Sequence, residues 1–167
     1  MDLRMRQLLG GLIHQLKVGW AETFGKGWSL VNTPLGSMAS RMGFESGFLV
    51  LESGQGADSD EALRVEITQV TGNQFISGQV QEVVDAVLLW WREDDGDLVD
   101  ALVDVLAYLT DGGPIWVLTP KVGRRNHVEP SDIQDAAPTA GLSQTSTLSV
   151  ASDWSATRLV ARRVGKR

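Results

Sequence analysis

Residues 85–120 read DAVLLWWREDDGDLVDALVDVLAYLTDGGPIWVLTP, and this stretch decides the fold. Residues 86–91 are apolar without interruption, as in a strand buried on both faces of a parallel sheet. Asp97 then offers an N-cap. Leu98, Leu102, Val105, Leu106 and Leu109 form one helical stripe, with Asp100 and Asp104 turned away from it. Gly112 and Gly113 end that helix, and residues 114–118 form a second buried strand closed by Thr119 and Pro120.

The same alternation continues outward. Upstream, residues 48–51 form a short apolar run that stops at Ser53-Gly54-Gln55-Gly56, a strand followed by a glycine turn. Residues 58–70 suit a helix capped by Ser59 or Asp60, whereas residues 72–78 are turn-rich and fit neither state. Downstream, a helix is expected over residues 130–140, with Ser131 near its start and Gly141 at its end. Residues 145–150 and 157–162 then alternate as two strands joined by a turn around Asp153. Strand, helix, strand, helix, strand, helix and a strand pair predict an α/β fold. It is Rossmann-like, a mainly parallel sheet flanked by helices, with a C-terminal antiparallel strand pair.

The composition bounds the function. At 167 residues the chain holds one core, and 43% hydrophobic with 22% charged residues excludes disorder throughout. No apolar run approaches the roughly 20 residues of a membrane-spanning helix. Cysteine is absent, which removes disulfides, thiolate metal sites and cysteine nucleophiles and fits a reducing cytosol. Of 15 basic and 21 acidic residues, the first 37 positions hold four and two. The acidic body that remains argues against nucleic acid as a partner, since phosphate contacts need clustered Lys and Arg.

Residues 1–37 form an extension to a single domain at residues 38–167. Met5, Leu8, Leu12, Leu16 and Trp20 recur at helical spacing, with Arg4, Arg6 and Lys17 giving a basic character. A start displaced upstream of the natural Met38 or Met42 is the favoured reading. A helix docked on this domain or a partner comes second, and a membrane-surface helix over residues 3–24 third.

Residues 85–92, 94–105, 115–121, 127–133, 136–142 and 154–160 read DAVLLWWR, DDGDLVDALVDV, IWVLTPK, HVEPSDI, AAPTAGL and WSATRLV. Together they resemble an actinobacterial domain-of-unknown-function family (three-zero-five-two) over residues 42–163. The tryptophan pair and the LTPK and HVEPSDI strings make that resemblance specific. More distantly, the layout is similar to the second half of a class I S-adenosylmethionine-dependent methyltransferase. Asp111-Gly112-Gly113 entering Ile115-Trp116-Val117 is similar to that fold's fifth strand, and the terminal hairpin is similar to its last two. This resemblance implies a reduced methyltransferase-like scaffold and little about activity.

Against that scaffold, Glu52-Ser53-Gly54-Gln55-Gly56 has the acidic-x-Gly-x-Gly form of a methyltransferase cofactor loop, in which glycines let backbone amides approach a ligand. A complete site also needs a second strand ending in an acid for the ribose. Only 32 residues separate Glu52 from Asp85, so a strand-helix unit is shortened or missing. An ordinary turn is therefore preferred for Gly54 and Gly56, and S-adenosylmethionine is disfavoured as a cofactor. Residues 93–97, including Asp94, lack the spacing of an EF-hand and read as a capped, solvated helix start. Lys121, Arg124, Arg125 and His127 follow the second buried strand, on the edge where open α/β sheets bind ligands. They are the best candidate site, with a pair of mutually neutralising loops as the plain alternative. His127 has no nucleophile partner at a recognisable spacing. Trp90, Trp91 and Trp116 are assigned to the core. Trp154, in the hairpin turn, is expected to be exposed, as an interface residue or a lid over the sheet edge.

Three functions follow, in order. The first is a noncatalytic regulatory or interaction module, with a protein partner or self-association. The second is a small-molecule or nucleotide-binding enzyme using Gly54, Gly56 and the loop from Lys121 to His127. The third is membrane-surface recruitment through residues 3–24.

Overall fold

The computed structural model describes residues 36–162. The readings placed on residues 3–24 and on the end of the basic tail lie outside them. The chain runs through α1 (Met38–Arg41), β1 (Val50–Ser53), α2 (Glu61–Thr71), β2 (Ala86–Trp90), a 3₁₀ turn (Glu93–Asp95), α3 (Leu98–Leu106), β3 (Ile115–Pro120), α4 (Pro130–Thr139), β4 (Leu142–Ser149) and β5 (Trp154–Ala161). One five-stranded sheet has the order β1-β2-β3-β5-β4. β1, β2 and β3 are parallel, and β5 runs antiparallel between β3 and β4. This is the expected Rossmann-like arrangement, with the terminal hairpin inserted so that its second strand lies inward.

β2 and β3 are buried at every position, the reason their sequences are continuously apolar. Their side chains alternate between two clusters. Val87, Leu89 and Trp91 join α3 and α4 on one face, while Ala86, Leu88 and Trp90 join α1 and α2 on the other. The adjacent tryptophans thus serve opposite faces, and Trp116 lies in the same cluster as Trp90. α2 is capped by Asp60, whose carboxylate accepts from the Leu63 N–H at 2.8 Å, and buries Leu63 and Ile67. α3 begins at Asp97, which accepts from Val99 and Asp100, and buries Leu98, Leu102 and Val105.

Two expectations shift for reasons of backbone pairing. α3 stops at Leu106, short of the glycines, because residues 108–110 turn to pair with Val84: Val84 N–H donates to Tyr108 at 2.8 Å and Thr110 N–H to Val84 at 2.9 Å. The turn-rich segment around residue 76 forms a single parallel bridge to Leu51, at the outer edge of β1. Ile76 donates to Val50 and accepts from Glu52, both at 2.9 Å. Among the described residues, no helix is long and apolar enough to cross a membrane.

Candidate functional site

The glycine loop after β1 is built tightly against the end of β2. Gly54 has φ +75°, and a Cβ there would lie 2.2 Å from the Trp90 carbonyl oxygen, so only glycine is tolerated. Glu52, at the strand end, is 7% exposed and turns inward. Its carboxylate accepts from Arg64 Nε at 2.7 Å, Arg64 Nη2 at 2.8 Å and Trp90 Nε1 at 3.1 Å. The Arg64 guanidinium also bonds Glu61 and lies over the Phe75 ring. Hydrogen bonds from Arg64 to Glu52 hold the guanidinium's pKa above its ordinary value.

A second arginine fills the loop itself. Arg92, the first residue after the buried Trp90-Trp91 pair, folds back across the ends of the strands with its side chain 11% exposed. Its Nη1 donates to the Gly54 carbonyl at 2.9 Å and its Nε to Asp58 Oδ2 at 2.8 Å, while Nη2 bonds the other Asp58 oxygen. A Cβ on Gly56 would lie 3.1 Å from Arg92 Nη2, so the space a second glycine leaves is occupied from within. Trp154 covers the guanidinium at 5.3 Å, donates through Nε1 to the Asp58 carbonyl at 3.0 Å, and meets Trp90 edge-on at 4.8 Å. The hydrogen bonds from Arg92 keep Asp58 ionised below the ordinary aspartate range, and Asp58 in turn raises the pKa of Arg92.

Trp154 is thus 3% exposed, against the expectation for a turn residue. β5 begins at Trp154 itself, and the ring is enclosed by Trp90, Arg92 and Asp58. The remaining candidates are dispersed. Asp94 is exposed on the 3₁₀ turn, and Arg125 is exposed. Arg124 pairs with Asp153 at 2.9 Å rather than with the acidic loop. The two loops meet through one backbone bond, Glu93 N–H to the Asn126 carbonyl at 3.2 Å. Lys121 donates to Ser149 Oγ at 2.6 Å, and His127 Nδ1 lies 2.8 Å from the Pro120 carbonyl. Lys121 and His127 line one cavity, while Glu52 and Gly54 line another. Sequence reasoning missed Arg92, Arg64 and Asp58. The available signal was a lone arginine directly after a fully apolar strand, whose charge needs a partner near that strand's end.

The family model for the protein of unknown function DUF3052 matches residues 39–163. The chain belongs to that family. An uncharacterised protein of Mycobacterium tuberculosis is 42% identical over 149 residues, covering 88% of this chain and 94% of its own length, and one from Mycobacterium bovis matches to the same extent. Among solved structures, this DUF3052 chain is similar to a SAM-dependent O-methyltransferase from Thermotoga maritima. The TM-score is 0.55 at 9% identity, over 77% of this chain and 65% of that enzyme. The precorrin-6y C5,15-methyltransferase of Geobacter metallireducens gives 0.52 at 9% identity, over 74% and 85%. The fold of this DUF3052 protein is therefore methyltransferase-like.

The residues present do not fit S-adenosylmethionine as they stand. Both Glu52 oxygens accept internal donors, and Arg92 fills the loop. The place of a second strand is held by the Ile76 bridge, which is followed by Ser77-Gly78 rather than by a carboxylate for a ribose. A cavity of about 420 Å³ does open beside Gly54, but the Glu52 and Arg64 side chains that line it are already paired with each other.

Proposed function

We propose that this DUF3052 protein is a noncatalytic regulatory or protein-interaction module on a degenerate methyltransferase-like scaffold, working in the cytosol with a protein partner or a second copy of itself. The observation that carries this reading is Arg92. Its guanidinium bonds Gly54 and Asp58 beneath Trp154, so the loop that would receive a cofactor is filled by the chain's own side chain. The contacts are structural in character: each donor has an acceptor, and the loop's glycines are explained by Trp90 and Arg92 without a ligand. The enzyme alternative draws Gly54, Gly56, Lys121 and His127 into one site, whereas Gly54 and the Lys121–His127 pair border different cavities.

Isothermal titration calorimetry of the full chain with S-adenosylmethionine and S-adenosylhomocysteine tests the proposal, alongside analytical ultracentrifugation across a concentration series. The expected result is no saturable heat from either nucleoside. Tight binding accompanied by methyl transfer overturns it.

A further inference from the structure

The sheet face under α4 changes character along its length. At its lower end Ile115, Val117 and Leu159 belong to the apolar cluster with Ile133. One step further, the register sets Thr119 opposite Ser155 and Ser155 opposite Ser149, and Thr157 opposite Thr147. Alternation along the strands places Thr119 and Thr157 on the same face as Val117 and Leu159. Three adjacent strands thus present a grid of hydroxyls where a helix-covered sheet would present aliphatic side chains.

That grid floors a cavity of about 410 Å³, walled on its apolar side by Val128, Ile133 and Pro130. Thr119 is 5% exposed and Thr157 4% exposed, and His127, which lines the same cavity, has its Nε2 buried with no hydrogen-bond partner among the described residues. A buried ring nitrogen without a partner is costly and uncommon unless something completes it, and the Thr119 and Thr157 side chains line the cavity beside it. Lys121 continues the β3 alternation onto the same face and reaches Ser149 at 2.6 Å. In a chain of net charge −6, the cavity's lining holds this lysine and His127 and no carboxylate. The volume falls within the range of small-molecule sites, and the lining combines an apolar wall with a few convergent polar groups.

We propose that this cavity binds a small organic carboxylate with an apolar body, its charge set toward Lys121, its oxygens taking the Thr119 and Thr157 hydroxyls, and its apolar side against Val128 and Ile133. The site lies apart from the Arg92-filled loop and does not rest on the noncatalytic reading.

The test is an amide chemical-shift titration of the full chain with benzoate, phenylacetate and mandelate, each paired with its uncharged amide. The carboxylates are expected to give saturable shifts at Thr119, His127, Thr157 and their neighbours, and the amides much weaker ones. Thr119→Val with Thr157→Val keeps side-chain volume and removes both hydroxyls. It should weaken carboxylate binding at least tenfold, about 1.4 kcal/mol, while thermal stability holds or rises. Lys121→Met, on the protein surface, provides a second arm whose folding is not in question. It should abolish the preference for acid over amide. No saturable shift at the cavity with any carboxylate overturns the proposal, as does equal binding of acid and amide to the unaltered chain. Carboxylate binding that neither Lys121→Met nor the double valine variant weakens also overturns it.

Discussion

Two regions at the same edge of the sheet are built on opposite principles. At the ends of β1 and β2, every strong polar group has a partner supplied by the chain: Glu52 by Arg64 and Trp90, Asp58 by Arg92 and Trp154. At the ends of β3, β5 and β4, threonine side chains and the unpartnered His127 Nε2 line a cavity. In a methyltransferase-like scaffold the first region would be the cofactor loop, and here it is the better satisfied of the two. Glycines after a strand therefore report a close backbone approach, and what approaches is decided by the rest of the chain. Here it is a carbonyl and a guanidinium.

The sharpest way to break this comparison is Gly54→Ala. The substitution demands a left-handed conformation of a non-glycine residue and puts Cβ 2.2 Å from the Trp90 carbonyl. We expect a loss of about 3 kcal/mol in urea unfolding. Gly72→Ala is the control, because Gly72 has nearly the same φ, +74°, with open space around it, and should cost about 1 kcal/mol. Equal losses at both positions would mean that the loop's packing on β2 contributes nothing and that Gly54 is an ordinary turn glycine.

Arg92→Ala comes next. It removes the bonds to Gly54 and Asp58 and the cation over Trp154, and opens the space beside Gly56. A destabilisation of about 2 kcal/mol is expected, since the arginine is largely buried while Asp58 is half exposed and can be solvated in its absence. The variant also sharpens the comparison. If it gains affinity for S-adenosylmethionine, the loop is a complete site that one side chain obstructs. If it only loses stability, the missing second strand is the deeper reason for the absence of a site.

The fold was legible because burial writes itself into composition. Residues 86–91 and 114–118 read as buried strands since both of their faces are covered, and Asp97 announced its helix by capping it. The bridge at Ile76 was not legible, because one residue's pairing leaves no periodicity. The end of α3 was misread because the competing partner, Val84, lies far away in sequence. The glycine loop was found and its occupant was not. Arg92, Asp58 and Trp154 converge only when β5 is inserted beside β3, which brings residue 154 to residue 58. Trp154 looked exposed for the same reason: its neighbours in sequence are turn residues, and its neighbours in space are not.

The smallest expected effect is on acid stability, and it isolates the Arg92–Asp58 bond from the rest of Arg92's contacts. The hydrogen bonds from Arg92 depress the folded-state pKa of Asp58, so between the folded and unfolded values the unfolded chain binds the proton more readily. The stability this contributes is fully present above the unfolded aspartate value of about 3.9 and is lost as pH falls through the folded value. With an exposed carboxylate the contribution should stay below about 1 kcal/mol. Unfolding free energies of the native chain and of Asp58→Asn, measured from neutral pH downward, should differ by a constant amount to about pH 4 and converge below it. In an Arg92→Ala background the same pair should run parallel throughout. A difference that survives this background at neutral pH and still closes in acid would assign the depression to another donor. The Gly54 and Trp154 contacts would then be the main reason Arg92 lies across the loop.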